Sequence, residues 1–267
     1  MQYRPLGPFS VANVALGCMN FCHAYGNPVS TEQSHAVLHA ALDAGVTLFD
    51  TAALYGFGAS ESLIGPVLKP HRNQITLASK CGMAGVRGED GVMRRVIDGR
   101  PKTLRQNCED SLKRLGTDVI DLYYLHRWDR NVPIEESVGE MARLKEEGKV
   151  RALGLSEVGA DALRRAHKEH PIAALQSEYS LWSRNAELGT LAACKELGIS
   201  PEGIHISCKP FAGPGGPLTL AKFKTEVRFP EAFSAEQKTK VLDAITHCAV
   251  KNIVEVGNGI EFSVTEA

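Results

Sequence analysis

Four residues in the first half of the chain could do chemistry together: Asp50, Tyr55, Lys80 and His126. A carboxylate, a phenol, an ammonium and an imidazole are groups that move a proton and hold charge developing on an oxygen. Taken singly, each has an ordinary structural explanation. An Asp after a strand caps a turn or helix, a Lys there is solvated, and a Tyr in a loop packs against its neighbours. His126 is less ordinary, because it closes the apolar run Asp121-Leu122-Tyr123-Tyr124-Leu125-His126, where a satisfied core histidine is unusual. The set stands above its members because all four fall at the ends of consecutive expected strands.

The elements that must position them can be read from hydrophobic periodicity. Short apolar runs rich in β-branched and aromatic residues occur at 14–20, 47–51, 74–80, 119–126, 150–156 and 173–178, with a further run at 203–210. They alternate with longer helical patterns, which is the signature of repeated βα units around a parallel sheet. Residues 3–11 read as a small hairpin ahead of the series. Ser30-Thr31-Glu32-Gln33 forms a capping box opening a helix that ends at Gly45. Leu104, Cys108, Leu112 and Leu115 give an amphipathic helix stopped by Gly116, and Ile134, Val138, Met141 and Leu144 another stopped by Gly148. No Ser/Gly linker or low-complexity tract interrupts the series, so one domain over 1–267 is expected. The expected fold class is α/β, and seven such runs suit a (β/α)8 TIM barrel whose eighth unit is atypical or incomplete. Barrels carry their chemistry at the carboxyl ends of the strands, which is where the four residues fall.

Composition narrows the partners. Thirty Lys+Arg against 31 Asp+Glu leave a formal charge of -1, so no bulk basic field exists to attract nucleic acid or anionic lipid. Met1-Gln2-Tyr3-Arg4-Pro5-Leu6-Gly7 is not a signal-like apolar run, and no stretch approaches the ~20 apolar residues of a membrane span, so a cytoplasmic address is expected. The seven cysteines are odd in number and lack a Cys-x-x-Cys pair, and read mostly as small buried apolar residues. His35 and His39 lie four apart on one expected helix, but with no third ligand in view no metal is assigned.

The segments around these residues resemble the aldo-keto reductase family. The resemblance is carried by Leu16-Gly17-Cys18-Met19-Asn20, by Phe49-Asp50-Thr51 through Tyr55-Gly56, and by Lys113-Arg114-Leu115-Gly116-Thr117-Asp118. It continues through Val119-Ile120-Asp121-Leu122-Tyr123, Gly148-Lys149-Val150-Arg151-Ala152-Leu153-Gly154-Leu155-Ser156 and Gln176-Ser177-Glu178-Tyr179-Ser180-Leu181-Trp182, covering residues 1–198 and leaving 199–267 divergent.

The resemblance implies an NADPH-dependent oxidoreductase that reduces a small aldehyde or ketone. In that scheme Tyr55 gives a proton to the carbonyl oxygen, Lys80 supplies the cation that favours the phenolate, Asp50 holds Lys80, and His126 orients the carbonyl. Ser156 and Gln176 fall at the family's nicotinamide-carboxamide positions, and Glu157 stands where many members carry Asn. Cys22, His23, Tyr25, Trp128 and Trp182 would shape a pocket suited to a flat or apolar substrate.

Beyond residue 198 the resemblance weakens. Where the family stacks a Tyr on the nicotinamide, this chain has Cys208, and Gly213-Pro214-Gly215-Gly216-Pro217 follows. The run 252–259, preceded by a helix from Ser234, is the candidate closing strand, with no basic residue after Gly259. Contacts to an adenosine 2′-phosphate then fall to Lys222, Lys224 and Arg228. Two rival expectations follow: a barrel protein without turnover, or a barrel left incompletely closed with an exposed strand edge.

Overall fold

A computed structural model describes residues 1–22, 29–179, 183–199, 234–236 and 239, and the backbone of 205–213, 216–228 and 260–265. The chain divides into two compact units. The first comprises Met1–Ser177 with Ala186–Ile199, the second Glu178–Asn185 with Ser200–Ala267.

The first unit opens with an antiparallel hairpin, β1 (Tyr3–Leu6) and β2 (Phe9–Ala12). Six parallel strands follow: β3 (Leu16–Gly17), β4 (Leu48–Asp50), β5 (Thr76–Cys81), β8 (Ile120–Leu125), β9 (Val150–Ser156) and β10 (Ala174–Gln176). They pair in that order. Each leads to a helix: α1 (Thr31–Asp43), α2 (Ala59–Leu68), α3 (Pro101–Leu115), α4 (Ile134–Glu146), α5 (Ala160–Glu169) and α6 (Thr190–Glu196). These six βα units form the expected curled α/β architecture of a (β/α)8 barrel. Between β5 and α3 the chain makes an antiparallel hairpin, β6 (Met83–Arg87) and β7 (Met93–Ile97), absent from the sequence reading.

The helix signals act as expected. Ser30 Oγ accepts from the Gln33 amide while the Gln33 side chain accepts from the Ser30 amide, closing the capping box. In α3, Leu104, Cys108 and Leu115 are buried, and the helix stops at Gly116 in the left-handed conformation, φ 65°. In α4, Ile134, Val138, Met141 and Leu144 are wholly buried.

Strand alternation decides which residues meet. Phe49, Leu77, Tyr123, Leu125, Leu153 and Leu155 point outward into the large core shared with the helices. Their neighbours Ala78, Leu122, Tyr124, Ala152 and Ala174 form a second cluster on the opposite face, packed with Leu48 and with Leu6 and Phe9 of the first hairpin. Strands buried on both faces read as continuous apolar runs, as these do. Continuing the two-residue period from this inner cluster to the carboxyl ends reaches Asp50, Lys80, His126, Ser156 and Gln176.

Cys18, Cys81, Cys108 and Cys194 are buried and Cys22 half-buried, all as free thiols. Burial pushes the Cys18 and Cys81 thiols well up, as inert core residues require.

The expected strand at 203–210 departs from the reading. β11 (His205–Gly213) lies in the second unit, where it pairs antiparallel with β12 (Gly216–Arg228), and β12 pairs parallel with β13 (Ile260–Thr265). Periodicity at 203–210 specified a strand but not its partner; a continuing parallel unit needs a crossover, whereas the Gly/Pro-rich 213–217 offers a tight reversal. The candidate closing strand 252–259 lies outside the described residues. So do His23, Tyr25 and Trp182, the loop tip at Pro214-Gly215, the side chains of Cys208, Lys222, Lys224 and Arg228, and most of the helix expected from Ser234.

Candidate active site

The carboxyl rim of the six-stranded sheet is tied together by hydrogen bonds that run past the strand ends. The Thr51 amide donates to the Ala78 carbonyl (3.0 Å), Ala53 to Lys80 (3.2 Å), His126 to Cys81 (2.9 Å) and Glu157 to Gln176 (2.9 Å). Backbone so held leaves the side chains few places to go.

Lys80 is the hub. Its side chain is fully buried, and Nζ donates to Asp50 Oδ2 at 2.5 Å, to the Thr51 carbonyl at 2.9 Å and to the Tyr55 hydroxyl at 3.2 Å. An ammonium has three donors, and all three are used. Nζ also lies 4.9 Å from the Tyr55 ring centroid. A buried charge survives only when paired and hydrogen-bonded, and Asp50 provides the pairing. The carboxylate is fixed in turn, because Gln176 Nε2 donates to Asp50 Oδ1 at 3.3 Å.

Tyr55 is buried, and the edge of one ring meets the face of the other between it and His126, with centroids 5.6 Å apart and planes at 87°. His126 is 7 % exposed, and burial, with the charges of Lys80 and Arg127, pushes its pKa down to about 3. It is a neutral imidazole at neutral pH. Its Nδ1 has no hydrogen-bond partner among the described residues. An orphaned buried N–H is rarer than an orphaned acceptor, so the single proton belongs on Nε2.

Ser156 and Gln176 end adjacent strands and face each other in register. Ser156 Oγ accepts from Arg127 Nη1 at 3.1 Å, and the same nitrogen donates to the His126 carbonyl at 2.7 Å. Arg127 was missed from sequence, where nothing but its place after His126 marks it. Glu157 has φ 54°. It and Phe57, also at φ 54°, are the non-glycine residues with positive φ among those described, and each lies within two positions of a candidate site residue. Such backbone costs of order 1–3 kcal/mol per residue and persists where surrounding structure imposes it.

Asp50, Tyr55, Lys80, His126, Ser156, Glu157 and Gln176 therefore share one rim, and Asp50, Tyr55, Lys80, His126 and Gln176 are in direct contact. Of the expected pocket residues, Trp128 has its ring covered by Arg130 at 3.9 Å, and its Nε1 donates to the Val132 carbonyl. His35 Nε2 is within hydrogen-bond distance of the Leu63 carbonyl, 3.1 Å, while His39 is exposed. Among the described residues no three His, Cys, Asp or Glu side chains cluster for a metal, and no helix is long and apolar enough to cross a membrane.

Comparison with known proteins agrees with this architecture. The profile described as Aldo/keto reductase family matches residues 13–214, somewhat beyond the 198 reached by residue-level resemblance. A Glycine max protein named "Probable aldo-keto reductase 1" is 41% identical over 233 residues, 87% of this chain and 66% of that protein. The structure of a glycerol dehydrogenase from Gluconobacter oxydans superposes with TM-score 0.66 at 34% identity, covering 73% of this chain and 60% of that one. An aldo-keto reductase from Bacillus halodurans, in its holo form, gives 0.66 at 31% identity, covering 75% and 64%. The chain belongs to the aldo/keto reductase family. It spans just under two thirds of the length of these relatives.

Proposed function

We propose that the protein is an NADPH-dependent oxidoreductase that reduces a small aldehyde or ketone to the alcohol. The observation that carries this reading is the placement of Lys80 Nζ within hydrogen-bond reach of both Asp50 and the Tyr55 hydroxyl in a buried site. A phenol is a poor acid at neutral pH, and a cation beside it stabilises the phenolate left when it gives up its proton. Tyr55 is the general acid, Lys80 the cation and Asp50 the anchor of that cation. His126, neutral with its proton on Nε2, donates a hydrogen bond to the carbonyl oxygen and orients it without competing as an acid.

The residues at the ends of β9 and β10 fit a nicotinamide. Gln176 gives one of its two N–H donors to Asp50 and keeps its carbonyl oxygen as acceptor, while Ser156 accepts from Arg127 and keeps its hydroxyl proton to give. One acceptor and one donor side by side match a primary carboxamide, with the acceptor-only Glu157 next to them. When bound, the dihydronicotinamide supplies the hydride that reduces the carbonyl carbon. Run in reverse, the site oxidises an alcohol, as the name of the Gluconobacter neighbour indicates for that protein. The free thiols suit a reducing cytoplasmic compartment.

A second reading is a family barrel without turnover. It is favoured by one observation: among the described residues, the next strand after β10 pairs antiparallel within the second unit.

Titration of the purified protein with NADPH and NADH, followed by protein fluorescence, separates the two. Aldehyde-dependent NADPH oxidation that Tyr55→Phe abolishes supports the reductase. A folded protein that binds neither nucleotide sinks it.

A further inference from the structure

Tyr55 is followed by three residues in the left-handed region: Gly56 (φ 58°, ψ 26°), Phe57 (φ 54°, ψ 45°) and Gly58 (φ 97°, ψ -10°). Glycine tolerates that backbone, whereas a bulky phenylalanine there is an outlier that something must enforce. Each of the three residues is fenced by a different part of the chain. A Cβ on Gly56 would lie 2.8 Å from Cβ of Cys22, and one on Gly58 would lie 2.7 Å from Cδ of Arg114. Arg114 is itself held by the wholly buried Glu61, to which its Nε donates at 2.7 Å.

Phe57 is fenced by the hairpin inserted after Lys80's strand. A Cβ on Gly85 of β6 would lie 2.5 Å from Cε1 of Phe57 and closer still to Cδ1, so the ring rests directly on the Gly85 backbone. The same Cβ would lie 2.7 Å from Cε of Met93 of β7, which completes the seat. Met83, the first residue of β6, packs on the cluster of Ala52, Leu54 and Tyr55. The hairpin therefore touches the Tyr55 turn at two points. Phe57 remains 46 % exposed, so burial of its ring does not by itself account for a phenylalanine in this conformation.

We propose that Phe57 is a positioning residue for Tyr55, and that the hairpin Met83–Ile97 sets the hydroxyl of Tyr55 against Lys80 by clamping Phe57 over Gly85. This rests on the reading of Tyr55 as the acid. The 3.2 Å separation of Lys80 Nζ and the Tyr55 hydroxyl is long enough that a small rotation of the turn breaks it. Phe57→Gly removes the ring and eases the backbone. Gly85→Ala keeps the ring but evicts it. Both act on the clamp by opposite means, and neither touches the reacting atoms.

The test combines kinetics with tyrosine ring ¹³C NMR on the full chain, the Tyr55 signal being assigned by its loss in Tyr55→Phe. Each single variant is expected to lower kcat about 10- to 100-fold, as misplacement of a catalytic group does, with the Kd for NADPH unchanged. Each displaces the Tyr55 signal. The double variant is no worse than Phe57→Gly, because Gly85→Ala has no ring left to evict. Val86→Ser, at an exposed site on the same hairpin, leaves both readouts at wild type. A Tyr55 signal unmoved in folded Phe57→Gly and Gly85→Ala overturns the clamp. Lack of turnover in the wild type would remove the acid role of Tyr55, while the NMR signal still decides whether the hairpin positions that residue.

Discussion

The two ends of the six-stranded sheet both hold a carboxylate against a cation, and they differ in how completely the surrounding groups are satisfied. At the amino end, Asp121 accepts from the Leu77 amide at 2.8 Å and pairs with Arg72 at 2.5 Å and Arg151 at 2.8 Å. Arg72 is further fixed on the Val119 carbonyl. At the carboxyl end, Lys80 spends one of its bonds on a tyrosine hydroxyl, His126 carries an orphan nitrogen, and Phe57 and Glu157 sit in strained backbone. A saturated network contributes stability, while spare hydrogen-bonding capacity and stored strain mark the end of a barrel that meets a ligand.

The sharpest way to break this comparison is to cut one group at each end. Tyr55→Phe at the carboxyl end is expected to lower kcat by roughly 10²–10⁴-fold, the contribution of a positioned proton donor, with little change in Tm. Asp121→Asn at the amino end is expected to do the reverse. It costs about 3 kcal/mol of stability, at the low end for a broken buried pair because Arg151 is half exposed, and leaves kcat per folded molecule intact. Denaturant melts and steady-state rates of both variants decide the matter. Equal effects on stability would erase the distinction between the ends.

Asp50→Asn belongs to both categories, since it leaves the Lys80 ammonium buried without a counter-charge. A stability loss of about 3–5 kcal/mol together with lost turnover is expected, measured by the same two methods. Retained stability would mean that Asp50 is not what offsets the burial of Lys80.

The carboxyl end was the more legible from sequence, and the reason is physical. Asp50, Lys80 and His126 continue inner strand faces, where apolar runs set the two-residue period and an Asp, Lys or His at the end of a run interrupts it. Strand 150–156 and the stops at Gly116 and Gly148 could be placed closely for the same reason. The β6–β7 hairpin was missed although Gly88-Glu89-Asp90-Gly91 between two short alternating runs is a turn signal, because the expected βα alternation led straight from strand to helix. Asp121 attracted no notice because its partners, Arg72 and Arg151, lie 49 and 30 positions away in sequence and meet it only in the fold. Sequence could mark a strand at 203–210, which forms as His205–Gly213, but not its antiparallel partner, since pairing is decided by what else is available to bond.

His126 sharpens the comparison through pH. Its folded pKa of about 3 lies below its ordinary value of 6.5, so between those values the unfolded chain binds more protons than the folded one. Stability therefore falls as pH drops from about 6.5 toward 3. From pH 7 to pH 5 this one group removes about 2 kcal/mol. Urea midpoints of wild type and His126→Gln across that range test it. The variant should lose less stability on acidification, and parallel curves would show that His126 is not held neutral by its surroundings.

The smallest effect concerns Arg127, which no pattern announced. By donating to Ser156 Oγ it fixes the hydroxyl rotor, so that the serine presents its proton rather than a lone pair. Arg127→Ala frees the rotor at a cost of about 1 kcal/mol, the worth of one hydrogen bond, which is about a fivefold rise in the Kd for NADPH. Because Ser156 is 3 % exposed, its hydroxyl has little access to water as a replacement donor. Arg127→Lys should restore part of the affinity by reaching the same oxygen. Fluorescence titration of the two variants against Ser156→Ala completes a cycle. If Arg127→Ala weakens binding equally with and without the serine hydroxyl, the guanidinium acts on the nucleotide directly and not through Ser156.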